Sequence, residues 1–288
     1  MRHVLILVLI LSSVAAAAFA QTPLAPVPTL AQDAAARERA RLANWWQKSA
    51  ASLDPIPVQA LFHLEGTVAY QNYAGNNDGN VFIGRGQFVG RKQRFSSYWT
   101  YSHTEQDVTF GAGTGSVHLT KYNLVPVVRY DILPAFYVAA GGRKMRDDSF
   151  NVDDRQVAYG GVGTVATPHP SLLLGVMAAV GYHDTDFRAG GTGVAMSGRA
   201  FYLEANWNWA IDPRVSLAIT ADYLRYRQES GARDGSTLNV EPGLTLAVSN
   251  NVALTLGYTV NREENAIVTL TGLQRVNRTS AVGLRLSY

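Results

Sequence analysis

Residues 58–288 repeat one pattern, apolar and polar positions in alternation, broken at intervals by turn-forming residues. A period of two marks a β-strand, because successive side chains leave opposite faces of an extended chain. Twelve such segments can be counted. The first sets Phe62, Leu64, Gly66, Val68 and Tyr70 against His63, Glu65, Thr67 and Gln71. The eighth alternates Phe201, Leu203, Ala205, Trp207, Trp209 and Ile211 with Tyr202, Glu204, Asn206 and Asn208. The ninth sets Val215, Leu217, Ile219, Ala221 and Tyr223 against Ser216, Thr220 and Asp222, and the tenth and eleventh repeat the arrangement around Leu238–Glu241 and Leu254–Thr259. An apolar face toward lipid and a polar face toward a lumen is what a membrane barrel requires. The predicted fold is therefore all-β, a 12-stranded antiparallel transmembrane β-barrel over residues 58–288.

The links between segments add a second signal. Counted from the first strand, the even-numbered links at 90–93, 131–134, 167–170, 212–214 and 249–251 are short and rich in turn residues. The odd-numbered ones, around 74–79, 103–115, 144–154, 183–195, 228–236 and 262–274, read as longer and more polar loops. Outer-membrane barrels have short periplasmic turns and long outer loops, and an even strand count then places both termini in the periplasm. Tyr70, Tyr98, Trp99, Tyr101, Tyr122, Tyr130, Trp207, Trp209, Tyr223 and Tyr258 suit the aromatic girdles at the two membrane surfaces. A water-soluble barrel also alternates, but it has no use for an apolar outer wall or for those girdles.

Ahead of the alternating region, residues 1–20 read as a signal peptide: Arg2 is the positive start, 4–11 the apolar core, and Ala18-Phe19-Ala20 a small-x-small cleavage site. Residues 21–57 are a periplasmic leader, Pro-, Ala- and Thr-rich at first, then a short α-helix over about 31–52 before Asp54-Pro55-Ile56-Pro57 stops it. Trp45 and Trp46 either rest the helix against the barrel mouth or anchor it at the membrane surface. The absence of Cys excludes both disulfides and an anchor through a lipidated cysteine. Without Arg2 the charge is +2, 24 basic residues less 22 acidic, too small an excess to argue for nucleic acid as a partner.

The last segment places Val282, Leu284, Leu286 and Tyr288 on one face beside Gly283. Gly283, Leu284, Leu286 and Tyr288 resemble the C-terminal signal read by the barrel-assembly machinery, in which the commonest last residue is Phe. An unpaired terminal strand is open to capture by strand addition before the barrel closes. Residues 121–187 are more particular. Tyr130-Asp131-Ile132-Leu133 precedes Phe136-Tyr137-Val138-Ala139-Ala140-Gly141, then an acidic loop, Arg155, Tyr159-Gly160-Gly161-Val162-Gly163 and Val180-Gly181-Tyr182-His183-Asp184-Thr185-Asp186-Phe187. Over roughly 60–288 the chain resembles a family of salt-induced outer-membrane proteins, a domain of unknown function. The resemblance implies an outer-membrane barrel of a Gram-negative bacterium associated with salt or osmotic stress, with no agreed activity and no catalytic residues to carry over.

Chemistry is sparse. By parity the inward set includes Glu65, Arg85, Lys121, Arg129, Glu204, Asp222, Glu241 and Arg285 as lumen-lining charges, with His63, Gln87, Asn123 and Arg143. Mixed signs on facing walls leave two readings open, a lumen sealed by ion pairs or a narrow pore for small solutes or ions. His183-Asp184-Thr185-Asp186 and 103–107 hold metal-ligand types without a binding-motif spacing, so neither metal nor cofactor is expected. Asp147, Asp148, Asp153 and Asp154, among Arg143, Lys144, Arg146 and Arg155, read as a charged outer loop, solvated or in touch with lipopolysaccharide phosphates. The expected partners are outer-membrane lipids, lipopolysaccharide and, during biogenesis, the assembly machinery. The rival reading is an outer-membrane lipid hydrolase or lipid A-modifying enzyme using Ser116 with His63 or His118, but no nucleophile motif marks these residues, and a non-enzyme is expected. The many in-strand glycines read as relief for bends or for neighbouring aromatic rings.

Overall fold

The computed structural model describes residues 45–53, 56–73, 77–110, 115–189, 192–227, 234–249, 251–264 and 276–287. The predicted signal peptide, most of the leader and Tyr288 lie outside the described residues. Of the helix expected at 31–52, only 45–52 is described, and there the chain forms two 3-10 turns, Trp45–Gln47 and Ala50–Ser52, instead of an α-helix. The short stretch packs onto the barrel end and exchanges its hydrogen bonds with barrel residues, which a continuous helix would keep for itself.

Alternation becomes strand throughout. β1 (Leu61–Tyr73), β2 (Asn77–Lys92), β3 (Phe95–Phe110), β4 (Gly115–Leu133), β5 (Phe136–Asp147) and β6 (Val152–His169) form the first half. β7 (Leu172–Ala189), β8 (Thr192–Ala210), β9 (Val215–Tyr226), β10 (Gly235–Ala247), β11 (Val252–Glu264) and β12 (Val276–Ser287) complete it. Each pairs antiparallel with its chain neighbours, and β12 returns to β1 to close the ring. That last seam runs from Glu65↔Ser287 to Ala69↔Gly283, and at Gly283 a Cβ would lie 2.8 Å from the Val68 carbonyl.

The strands are 12–19 residues long, where about 9–11 suffice to cross a bilayer. Much of what alternation assigned to odd-numbered loops is therefore strand: 103–110, 144–147, 183–189 and 192–195 all belong to β3, β5, β7 and β8. Once two strands are hydrogen-bonded, the ladder continues beyond the apolar band, because a polar residue sits in a wetted sheet as readily as in a loop. The odd-numbered links at 148–151 and 190–191 are consequently as short as the turns at the opposite end.

The barrel is inside-out relative to a water-soluble domain. Phe62, Leu64, Trp99, Tyr130, Val180, Leu284 and Leu286 face outward and are exposed, whereas Arg91, Asp131, Arg155 and Glu263 face inward and are buried. An apolar exterior around a charged interior is stable only in lipid, so these strands span a membrane. Among the described residues no helix is long and apolar enough to cross one. Inside, the β5–β9 wall carries a packed cluster of Tyr137, Tyr159, Met177, Tyr202 and Tyr226, an apolar and aromatic lining where a polar one was expected. Two glycines make the room: a Cβ at Gly163 would lie 2.2 Å from the Tyr137 ring, and one at Gly235 would lie 2.2 Å from the Tyr226 ring. Tyr98, expected in a girdle, faces the lumen on the same side of β3 as Ser96 and Thr100, while Trp99 and Tyr101 point outward.

Candidate functional site

The lumen has three levels. The middle one is a cavity of about 540 Å³ lined by Glu65, Arg85, Arg129, Glu204, Asp222, Glu241 and Arg285, among others. Lys121, the remaining predicted lining charge, lies higher and pairs with Asp147 at 3.0 Å. Charges cross the cavity in pairs. Arg143 on β5 donates to Asp222 on β9 at 2.7 Å and to Asn123 at 3.0 Å, while Arg85 on β2 donates to Glu241 on β10 at 2.9 Å. Glu204 accepts from Tyr202 at 2.9 Å and from Asn206 at 2.6 Å. Arg285 and Glu65, diagonal neighbours across the β12–β1 seam, are looser at 3.8 Å.

Above the cavity, away from the short turns, Arg155 reaches from β6 to Glu263 on β11, most of the way across a ring of twelve. The contact is bidentate, with Nη2 to Oε1 at 2.8 Å and Nη1 to Oε2 at 3.1 Å. Tyr226 and Thr237 each donate a hydroxyl to the carboxylate at 2.6 Å, and Arg155 Nε donates to Thr185 at 3.2 Å. Both charged side chains are at most 1% exposed. The expectation of a solvated outer loop thus fails for Arg155 and for Asp147, which is 2% exposed and caps the 3-10 turn Asp148–Phe150. Because the strands overrun the apolar band, these residues face inward where a loop would have faced water. Ser149 in that turn accepts from Asn277 of β12 at 2.7 Å, tying the β5–β6 link across the opening.

Below the cavity, at the short-turn end, Asp131 joins wall to leader. It accepts from Arg129 Nε at 2.7 Å and from the Ala50 amide at 2.5 Å, and it is fully buried. Arg129 also lies 3.8 Å over the Tyr137 ring. Arg91 donates to the Tyr98 hydroxyl and, at 3.4 Å, to the Trp46 carbonyl, and Trp46 stacks on His63 with ring centroids 4.5 Å apart. Residues 45–53 thus lie over this end of the lumen like a strap.

The remaining candidates separate. His183 packs against Tyr226 and bonds Thr185, among the residues around Arg155. Among the described residues no group of His, Asp or Glu could hold a metal. His103 pairs with Glu105 at 3.0 Å and His118 with Asp107 at 2.6 Å, both on the exposed outer parts of β3 and β4. Ser116 lies two residues before His118 on β4, whereas His63 lies under Trp46 at the other end and is not brought to Ser116. Sequence reasoning missed Arg91, Asp131 and Glu263, each assigned to a link; continuing the parity of the adjoining strand by two residues would have turned them inward.

These walls and this lumen define an outer-membrane-type β-barrel whose interior is crossed by charge pairs above and within a central cavity. Residues 66–287 match the family described as protein of unknown function, DUF481, and the chain belongs to that family. No curated protein matches the chain. Among solved structures, it is similar to an outer-membrane channel of Pseudomonas putida F1, at 14% identity and a TM-score of 0.48 over 80% of this chain and 95% of that one. It is also similar to the translocator domain of the autotransporter NalP of Neisseria meningitidis, at 9% identity and a TM-score of 0.42 over 90% and 98%. At such scores neither likeness bears on function, and the reading below rests on this chain's own lumen.

Proposed function

We propose that the protein is an integral outer-membrane barrel, closed at rest, that serves the cell envelope by structure and admits small solutes or ions only when its internal charge pairs part. The observation that carries this reading is the buried Arg155–Glu263 pair spanning the lumen, with no water-exposed face. A standing pore needs a continuous wet path, and a desolvated bidentate pair with both partners' hydrogen bonds filled is a barrier to one. The role in salt or osmotic stress belongs to the same proposal, as do termini in the periplasm and contact with lipopolysaccharide. No reaction is assigned.

Planar-bilayer recording of refolded protein tests it. Wild type gives no steady conductance, and Glu263→Ala gives steps whose ion preference shifts with Glu204→Lys. A wild-type barrel that conducts steadily at low voltage overturns the closed reading. Protease shaving of intact cells addresses orientation: trypsin cleavage at the half-exposed Arg188 or Arg225, at the end away from the short turns, with the region around Lys48 protected, is the expected pattern.

A further inference from the structure

Among the described residues, the short-turn end of the lumen holds more hydrogen-bond donors than it pairs. Arg91, Ser96 and Arg129 are successive register partners across β2, β3 and β4, Arg91↔Ser96 and Ser96↔Arg129, so they form one inward-facing row. Strands about 4.8 Å apart put the two arginine backbones roughly 10 Å from each other with Ser96 between them. The strap covers this row, and Ser49 directly precedes the Ala50 amide that binds Asp131. Arg91 is 2% exposed, and Ser96 and Ser49 are fully buried.

Arg91 Nε and Nη1, Arg129 Nη2, Ser96 Oγ and Ser49 Oγ are all buried without a hydrogen-bond partner among the described residues. Among the described residues, these two guanidiniums face one carboxylate, Asp131, whose oxygens are already engaged by Arg129 and Ala50. Buried charge and buried donors are each destabilising until paired. Hydroxyl groups can turn to accept, but guanidinium nitrogens only donate.

We propose that this row is a binding site for a small free oxyanion of the phosphate or sulfate type, held between Arg91 and Arg129 beneath the strap. Forked guanidiniums match the oxygens of such an anion, and a single spherical halide would leave most of the directional donors unmet. Enclosure by the strap and the barrel wall selects a free anion over a lipid headgroup, whose acyl chains have no place inside the lumen. Arg129 also borders the cavity, but the Arg155–Glu263 pair takes no part, so the site stands or falls separately from the closed-barrel reading.

Isothermal titration calorimetry on the refolded full-length protein in detergent tests it, with inorganic phosphate and sulfate as titrants and chloride as the control. Saturable, one-to-one heat with phosphate or sulfate is expected, weakened about tenfold or more in Arg91→Gln and by a smaller factor in Ser96→Ala, which keeps every charge. Heat-modifiable gel mobility shows that each variant is folded, and Glu241→Gln, away from the row, binds as wild type. The proposal is overturned by no saturable heat, which leaves water to fill the row, or by binding indifferent to both Arg91→Gln and Ser96→Ala. Binding of short-chain phosphatidate that inorganic phosphate does not displace overturns it as well, since the site would then read a headgroup.

Discussion

The two ends of this lumen bury the same kind of residue to different effect. Beyond the cavity, Arg155 meets a carboxylate in bidentate geometry, and hydroxyls from Thr237 and Tyr226 complete it. At the short-turn end, Arg91 and Arg129 share one carboxylate among the described residues, and three of their N–H-bearing nitrogens find no partner there. Burial is nearly equal, so solvent access does not separate them; the number of acceptors within reach does. A satisfied buried ion pair rigidifies and blocks. An under-satisfied one invites a ligand.

Breaking the satisfied end has the largest expected effect. Glu263→Ala leaves the Arg155 guanidinium buried and uncompensated, a loss of about 3–5 kcal/mol. Urea unfolding of the barrel in lipid vesicles measures it. Replacing both partners with apolar residues, Arg155→Met with Glu263→Leu, restores most of that loss, because the desolvation of both charges disappears together. A double variant as unstable as the single one would mean the pair is not a self-contained unit. At the short-turn end, Asp131→Asn removes the charge that holds both Arg129 and the strap, at about 2 kcal/mol. Here the sharper readout is local: trypsin cuts faster at Lys48 as the strap lifts, while the upper half of the barrel keeps its protection.

The same contrast explains what alternation made legible. Period two places a residue on a face, and the inward side chains of Glu65, Arg85, Glu204, Asp222 and Glu241 follow from it directly. It says nothing of height along the strand, nor of where a strand stops being a strand. Arg91, Asp131, Arg155 and Glu263, the four charges that distinguish the two ends, all sit near strand ends in segments that read as turns or loops. Tyr98 shows the reverse error, in which an aromatic side chain suggested a girdle although its parity with Ser96 and Thr100 pointed inward. Partner choice across the barrel, β6 with β11 or β5 with β9, depends on ring closure and stagger, which no local pattern contains.

An intermediate effect falls on the packed wall that supports the upper pair. Gly235→Ala places a methyl group 2.2 Å from the Tyr226 ring, and the ring cannot retreat without giving up its bond to Glu263. Overpacking of this kind costs about 1–3 kcal/mol. Gly257→Ala, where a Cβ would meet nothing within 4 Å, is the control and leaves the unfolding midpoint unchanged within about 0.5 kcal/mol.

The smallest effect belongs to Arg85–Glu241, which crosses the lumen as Arg155–Glu263 does but faces the open cavity, with side chains 41% and 31% exposed. Water already solvates both groups there, so Arg85→Ala is expected to lose no more than about 1 kcal/mol, and less still in high salt. A double-mutant cycle with Glu241→Ala isolates the pair from the loss of either side chain alone. Should that coupling match the one across Arg155 and Glu263, water access would not be what ranks these crossings. A weak, salt-sensitive coupling beside a strong, salt-insensitive one would place the barrier to permeation at the Arg155 level, with the cavity beneath it as a wetted chamber.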